Sequence, residues 1–116
     1  MSSSPPRLKA KIWIQAALRA CVAANIMATV ARRGDEDAGS ILIKQNLLGG
    51  GFVVLTPMRL ADDSVGWRRG TGLLPVSESE ADAYIARQVA RDGDLWVLEI
   101  EERSGALPFE HRLVEN

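Results

Sequence analysis

One charged stretch in the first half of the chain decides how the fold is organised. It reads Arg32-Arg33-Gly34-Asp35-Glu36-Asp37-Ala38-Gly39-Ser40-Ile41-Leu42-Ile43-Lys44. Two arginines end an apolar run, an acidic segment bounded by glycines follows, and a strand-like Ile-Leu-Ile resumes. Glycine and aspartate are typical of chain reversals. The stretch therefore predicts a turn between two β-strands with dense charge at one edge of a sheet, but it identifies no reaction.

Elements on both sides of this turn can be predicted from periodicity. Lys11, Gln15 and Arg19 recur every four residues opposite an apolar face, which predicts a helix over about 11–24 that ends near Asn25. Residues 8–12 also alternate, so a strand remains an alternative there. Further strands are predicted over 26–33, 40–48 and 51–56, followed by a polar loop over 57–66 and a short strand over 67–69. The glycines Gly49–Gly51 predict a β-hairpin between the second and third of these strands.

The second half of the chain contains the clearest local signal. Ser77 followed by Glu80 is the pattern of a capping box, which predicts a helix beginning there. Gly93 suits a left-handed exit from that helix. Residues 95–102 then alternate as a strand, with Trp96 and its apolar neighbours on one face and glutamates on the other.

Together these elements predict one α+β domain over residues 7–104. We expect an antiparallel sheet of four to five strands with two helices packed on one face. Residues 1–6 are predicted to be a disordered Ser/Pro tail. Residues 105–116 are predicted to be an irregular tail in which Leu107 and Phe109 dock onto the core.

Composition excludes several classes of protein. Hydrophobic residues make up 47% of the 116 residues and charged residues 25%, with a net charge of −1, so the whole chain has no attraction for nucleic acid or anionic lipid. Cys21 is the only cysteine, which excludes an intrachain disulfide. Arg19 interrupts the apolar run over 12–31, so we expect no membrane span. The first residues lack a signal-peptide pattern, and we expect a cytoplasmic protein.

Catalytic chemistry finds little support. His111 is the only histidine and lies near the end of the chain, so a Ser-His-Asp or Cys-His mechanism is not expected, nor is a cofactor. Asp35 and Asp37 are weak candidates for a metal site, because consecutive carboxylates rarely converge on one ion. A solvated turn is the preferred interpretation of this segment, and the chain is not expected to be an enzyme.

Paired arginines are the better candidate for a binding site. Arg32 and Arg33 end one predicted strand, and Arg68 and Arg69 follow Trp67 in another. If these strands were neighbours, four guanidinium groups would gather to bind phosphate beside a tryptophan able to stack on a base. The preferred alternative is that the acidic loops neutralise the arginines as surface ion pairs. Trp67, between glycine and arginine, is the tryptophan expected to be exposed.

Four segments carry a resemblance to a known family: Leu8–Ile14, Arg32–Gly39, Glu80–Gln88 and Asp94–Glu101. Over about residues 7–104 the chain resembles short alphaproteobacterial proteins that are curated as a domain of unknown function. The resemblance implies a bacterial cytoplasmic protein and no particular mechanism.

Three functions follow in order of preference. The first is a small non-enzymatic binding or regulatory module that acts through protein contacts, as a homodimer joined at the edges of 95–100 or 41–43. The second is a phosphate- or nucleic-acid-binding protein that uses the arginine pairs, although nucleic acid is not the expected partner. The third is a hydrolase with a divalent metal at 35–37. An exposed apolar strip would favour the first, clustered arginines the second, and converging carboxylates the third.

Overall fold

The computed structural model describes residues 9–114, and the predicted tail over 1–6 lies outside them. Two helices and six strands confirm the α+β class. In chain order they are α1 (Ala10–Ala23), β1 (Met27–Arg32), β2 (Ile41–Asn46), β3 (Phe52–Arg59), β4 (Val65–Arg69), α2 (Glu78–Arg91), β5 (Trp96–Glu101) and β6 (Leu113–Val114). No helix among residues 9–114 is long and apolar enough to cross a membrane.

The six strands form one mixed sheet in the order β1-β5-β2-β3-β4-β6. Three neighbouring pairs are antiparallel, whereas β2 pairs with β5 and β4 with β6 in parallel. The prediction of an antiparallel sheet of four to five strands is therefore wrong in both count and direction. Because α2 is a long crossover, it returns the chain parallel to β2, as parallel pairing requires. The strand β6 has only two residues, too few for a sequence pattern.

The turn after β1 reverses the chain as predicted, but β1 and β2 are not neighbours. Strand β5 lies between them, so the turn spans two strand spacings, about 10 Å. Hydrogen bonds fasten it to β5: the indole of Trp96 donates to the carbonyl of Asp35 at 2.7 Å, and the Asp35 amide donates to the carbonyl of Asp94 at 3.0 Å. The turn therefore connects β1 to β2 across the end of β5.

The two helices pack on opposite faces of the sheet, so the prediction of both on one face is wrong. Side chains alternate along a strand, and β2 shows the consequence. Ile41 and Ile43 belong to the core under α1, whereas Leu42 belongs to the core under α2. A continuous apolar run is typical of a strand that is buried on both faces, and Ile41-Leu42-Ile43 is such a run.

Local predictions of turns and helix ends are mostly confirmed. Asn25 ends α1 in the left-handed conformation (φ 58°), and the hairpin between β2 and β3 has positive φ at Gly49 and Gly51. The Ser77 hydroxyl accepts a hydrogen bond from the Glu80 amide at 3.1 Å. Among residues 9–114, the return bond from the Ser77 amide to the Glu80 carboxylate is not formed, so half of the capping box is present.

Two boundaries differ from the prediction. Strand β3 runs to Arg59 and β4 starts at Val65, so half of the predicted loop over 57–66 is strand. Pro57 is tolerated there because it lies beyond the last pair of β2 with β3, where no neighbouring strand needs its missing amide. Helix α2 leaves through Asp92 in an extended conformation (φ −144°), so the predicted left-handed exit at Gly93 is wrong.

Candidate binding surface

The arginine pairs do not come together. Strands β1 and β4 are separated by β5, β2 and β3, which places them about 19 Å apart. The Arg32 guanidinium is turned inward, where it donates to the carbonyls of Gly93 at 3.0 Å and Leu95 at 2.6 Å. The geometric condition for a four-arginine phosphate site is therefore absent.

Arg33 forms a surface ion pair with the acidic turn, as the preferred interpretation of the arginine pairs predicted. Its guanidinium lies 2.8 Å from the Glu36 carboxylate and 5.6 Å from the ring centroid of Trp96. Lys11 approaches the same carboxylate at 3.4 Å. Hydrogen bonds from Arg33 and then Lys11 lower the pKa of Glu36. The exposed acidic turn is thus neutralised from two sides.

Asp35 and Asp37, the weak candidates for a metal site, make contacts within and beside the turn. One carboxylate oxygen of Asp35 accepts from the amides of Asp37 at 3.1 Å and Ala38 at 2.7 Å. Asp37 lies 3.6 Å from the ammonium of Lys9. Within residues 9–114, no group of three histidine, cysteine, aspartate or glutamate side chains could hold a metal ion. The carboxylates of 35–37 therefore shape a turn.

Trp67 is buried, at 6% exposure, so the expectation that it is exposed is wrong. It lies in β4 on the face under α1, with its ring centroid 5.8 Å from that of Trp13. The Trp13 ring in turn meets Phe109 edge-on at 5.4 Å. Both Leu107 and Phe109 pack on this core, as predicted. A base could reach the Trp67 ring only by displacing this packing.

Lys44 is a buried cation surrounded by carboxylates, and no pattern in the sequence predicted this cluster. Its side chain is 7% exposed, and its ammonium lies 2.9 Å from the carboxylates of both Glu78 and Asp82 and 3.7 Å from that of Glu99. Burial would lower the pKa of Lys44, but hydrogen bonds to Asp82 and Glu78 outweigh it and raise the pKa. A protonated amine is no nucleophile. The cluster therefore joins α2 to the sheet.

An open cleft of about 200 Å³ lies beside the last segment of the described chain. This C-terminal cleft is lined by the polar residues Gln45, Arg69, Ser104 and His111 and by apolar residues that include Leu55, Leu73, Leu107 and Leu113. Gln45 is buried and donates to the carbonyl of Gly105 at 2.8 Å, which fastens the last segment to β2. None of the described residues that line the cleft is an aspartate or a glutamate.

The rim of this cleft exposes leucines. Leu73 is 63% exposed, its neighbour Leu74 is 78% exposed, and Leu113 is 37% exposed. We call Leu73, Leu74 and Leu113 the leucine rim. Leu73 and Leu113 line the cleft, and Leu74 follows Leu73 in the chain. Exposed apolar patches are typical of protein contact sites. One sequence signal points to this surface: Leu73 and Leu74 are adjacent between Gly72 and Pro75. They belong to no helical or strand period that would predict them to be buried.

Comparisons with known proteins agree on one family. A family model described as "Protein of unknown function (DUF1491)" matches residues 8–110. The crystal structure of a DUF1491 family protein from Caulobacter crescentus is 30% identical (TM-score 0.81), covering 93% of this chain and 100% of that one. An NMR structure of a DUF1491 protein from the same organism is 29% identical (TM-score 0.79), covering 96% and 100%. The solution structure of a protein from A. tumefaciens is 30% identical (TM-score 0.70), covering 92% and 98%. No curated protein matches.

Proposed function

The chain belongs to the DUF1491 family of proteins of unknown function, and we propose that it is a small non-enzymatic module that binds other proteins at the C-terminal cleft. The observation that supports this is the leucine rim. Leu73 and Leu74 are adjacent and more than half exposed, although exposing two large apolar side chains side by side gains the isolated protein nothing. A partner that covers them would gain roughly 25 cal/mol per Å² of apolar surface removed from water.

The cleft suits an extended peptide segment better than a free small molecule. Its volume of about 200 Å³ is below the range of roughly 300–1,000 Å³ that is typical of small-molecule sites. A volume of this size accepts one or two apolar side chains. The residues around it can contact the flanking backbone of the same segment.

The apolar residues at the cleft indicate the chemistry of that segment. The lining includes Leu55, Leu73, Leu107 and Leu113. Removing apolar surface from water is the main favourable term in most protein association. We therefore propose a segment whose apolar side chains enter the cleft. We further propose that the protein is bacterial, works in the cytoplasm and is a homodimer.

Selection of peptides from a random phage-displayed library on the immobilised protein tests this function. We expect the enriched peptides to share apolar residues, and their affinity to fall at least tenfold in Leu74→Glu. The matched control is Val22→Glu, since Val22 is 75% exposed on α1, away from the cleft. Peptides that bind Leu74→Glu as well as the unaltered protein would overturn the proposal, as would the absence of any enrichment.

A further inference from the structure

The outer edge of β1 lacks the protection that edge strands usually have. Among residues 9–114, β5 is the one strand that pairs with β1, which lies last on that side of the sheet. Edge strands are normally guarded by charged residues or proline, yet residues 26–31 contain neither. The first charge, Arg32, turns back to carbonyls of its own chain. A β-bulge between Val30 and Arg32 is the one protective device that is present.

The direction of the backbone amides in β5 shows which groups of β1 face outward. The Trp96 amide donates to the Ser40 carbonyl and the Glu102 amide to the Asn46 carbonyl, both towards β2. Amides alternate along a strand, so the Glu99 amide faces β1. Its cross-strand partner is Thr29. Thr29 therefore directs its amide and carbonyl inward to β5.

It follows that Ala28 and Val30 present their amides and carbonyls at the free edge. An antiparallel pairing of two β1 strands about a two-fold axis at Thr29 places Ala28 of one copy opposite Val30 of the other, twice. Each such pair exchanges two backbone hydrogen bonds. The small side chain of Ala28 then lies opposite the larger side chain of Val30. Both side chains are on the α1 face of the sheet and pack against its core. The edge is therefore complementary to itself.

A groove next to β1 adds a second, independent feature. It has a volume of about 300 Å³ and lies between α2 and the end of β1. Its lining combines the apolar residues Ala31, Ile85, Ala86, Val89 and Val97 with the charged residues Arg32, Lys44 and Asp82. Met27 is 66% exposed at the other end of β1. In the register about Thr29, Met27 of one copy lies opposite Ala31 of the other, at the lip of the groove. The pairing would cover the most exposed apolar side chain of β1.

The charges at the two ends of β1 are compatible with this pairing. Arg32 and Arg33 lie at its C-terminal end, where Arg32 donates to carbonyls of its own chain and Arg33 pairs with Glu36. An antiparallel arrangement keeps the arginines of the two copies at opposite ends of the interface, so no like charges oppose each other across the axis.

From these features we propose that β1 pairs with β1 of a second copy about a two-fold axis at Thr29, and that Met27 of each copy occupies the groove of the other. The sheets of the two copies then form one continuous twelve-stranded sheet, from six strands in each. This inference rests on the homodimer proposed above and adds its interface. The earlier expectation that 95–100 or 41–43 form the dimer edge is wrong, because β5 and β2 lie inside the sheet.

Disulfide trapping tests the register. Directly opposed residues that do not exchange backbone hydrogen bonds have Cα atoms about 4.5 Å apart, within the range of roughly 4.4–6.8 Å that a disulfide spans. Thr29→Cys should therefore give a covalent dimer under mild oxidation. Ala28→Cys, one residue away in β1, and Ala61→Cys, in the exposed turn before β4, are the controls and should stay uncrosslinked. The native Cys21 is fully buried and adds no background.

Light scattering of the unaltered protein and of Met27→Glu completes the test. We expect twice the chain mass for the unaltered protein and at least a tenfold weaker dimer for Met27→Glu, with Val22→Glu unchanged. A dimer mass without a Thr29→Cys disulfide would overturn the β1 interface and leave a homodimer joined elsewhere. A monomer mass at every concentration would overturn both. Peptide selection at the leucine rim is unaffected by either result, so the binding proposal is judged separately.

Discussion

The two faces of the sheet are stabilised in different ways. Helix α1 has no side-chain cap at its N-terminus, yet it buries Ala10, Ile14, Ala17 and Cys21 against a core that contains Trp67 and Trp96. Helix α2 has a Ser77 cap, acidic residues in its first turn and Arg91 in its last, yet Ala81 is its only fully buried residue. Apolar burial dominates the packing of α1 on the sheet, whereas α2 combines a smaller apolar cluster with ion pairs.

The two faces also differ in the cleft or groove that each of them carries. The C-terminal cleft opens beside the core under α1, where Val53, Leu55 and Leu107 line it. The α2 face has a smaller apolar cluster, an ion pair at its centre and an open groove beside β1. Capping and helix-dipole effects contribute about 0.3–2 kcal/mol each, less than a fully buried aromatic side chain. Local sequence signals are thus strongest in the helix that tertiary burial stabilises least.

The largest effect should come from removing a tryptophan from the α1 face. Trp96 is 2% exposed, and its indole also donates to the turn after β1. We expect Trp96→Ala to lower the free energy of unfolding by about 3–5 kcal/mol, because it leaves a cavity and an unpaired carbonyl. Urea denaturation followed by circular dichroism measures this. A loss below about 1 kcal/mol would contradict the assignment of this face as the main source of stability.

An intermediate effect is expected for the ionic cluster on the α2 face. Breaking a fully buried pair costs about 3–5 kcal/mol, but Glu78 and Asp82 are more than half exposed, so water can solvate them when the cation is removed. We expect Lys44→Met to cost about 1–3 kcal/mol, between the values for buried and surface pairs. The double variant with Asp82→Asn should show coupling, and strict additivity would argue against the pair.

The same cluster predicts how stability depends on pH. The pKa of Lys44 is raised in the folded protein, so its contribution is fully present below the unfolded-state pKa of lysine, about 10.4. The contribution is lost only as the pH rises through the still higher folded-state pKa. The difference in stability between the unaltered protein and Lys44→Met should therefore stay constant from neutral pH to mildly alkaline pH. A difference that shrinks in this range would show that Lys44 titrates there.

The smallest effect should come from the α2 cap. Ser77→Ala removes the acceptor for the Glu80 amide and should cost about 1 kcal/mol. Because the return bond is not formed, Glu80→Ala should act independently, and the two losses should add within about 0.5 kcal/mol in urea melts. A clear coupling between the two variants would indicate that the full capping box forms in solution.

Much of the local structure followed from the sequence, and little of the candidate site did. The α1 stripe, the glycine hairpin and the cap at Ser77 depend on residues that are close in the chain. The leucine rim, the cleft and the Lys44 cluster join residues from distant segments: Gln45 meets Gly105, and Lys44 meets Asp82. The spacing of residues in the sequence does not predict such contacts, because they depend on which strands become neighbours.

The sequence by itself determined most of the secondary structure, because periodicity, turn glycines and helix caps act within a few residues. Only the tertiary structure decided that β5 enters between β1 and β2, and with it the opposite placement of the helices. That insertion placed β5 inside the sheet and moved β1 one strand further from the arginines of β4. The physical reason for the helix placement is that Ile41, Leu42 and Ile43 are apolar on both faces of β2, so a layer must cover each face.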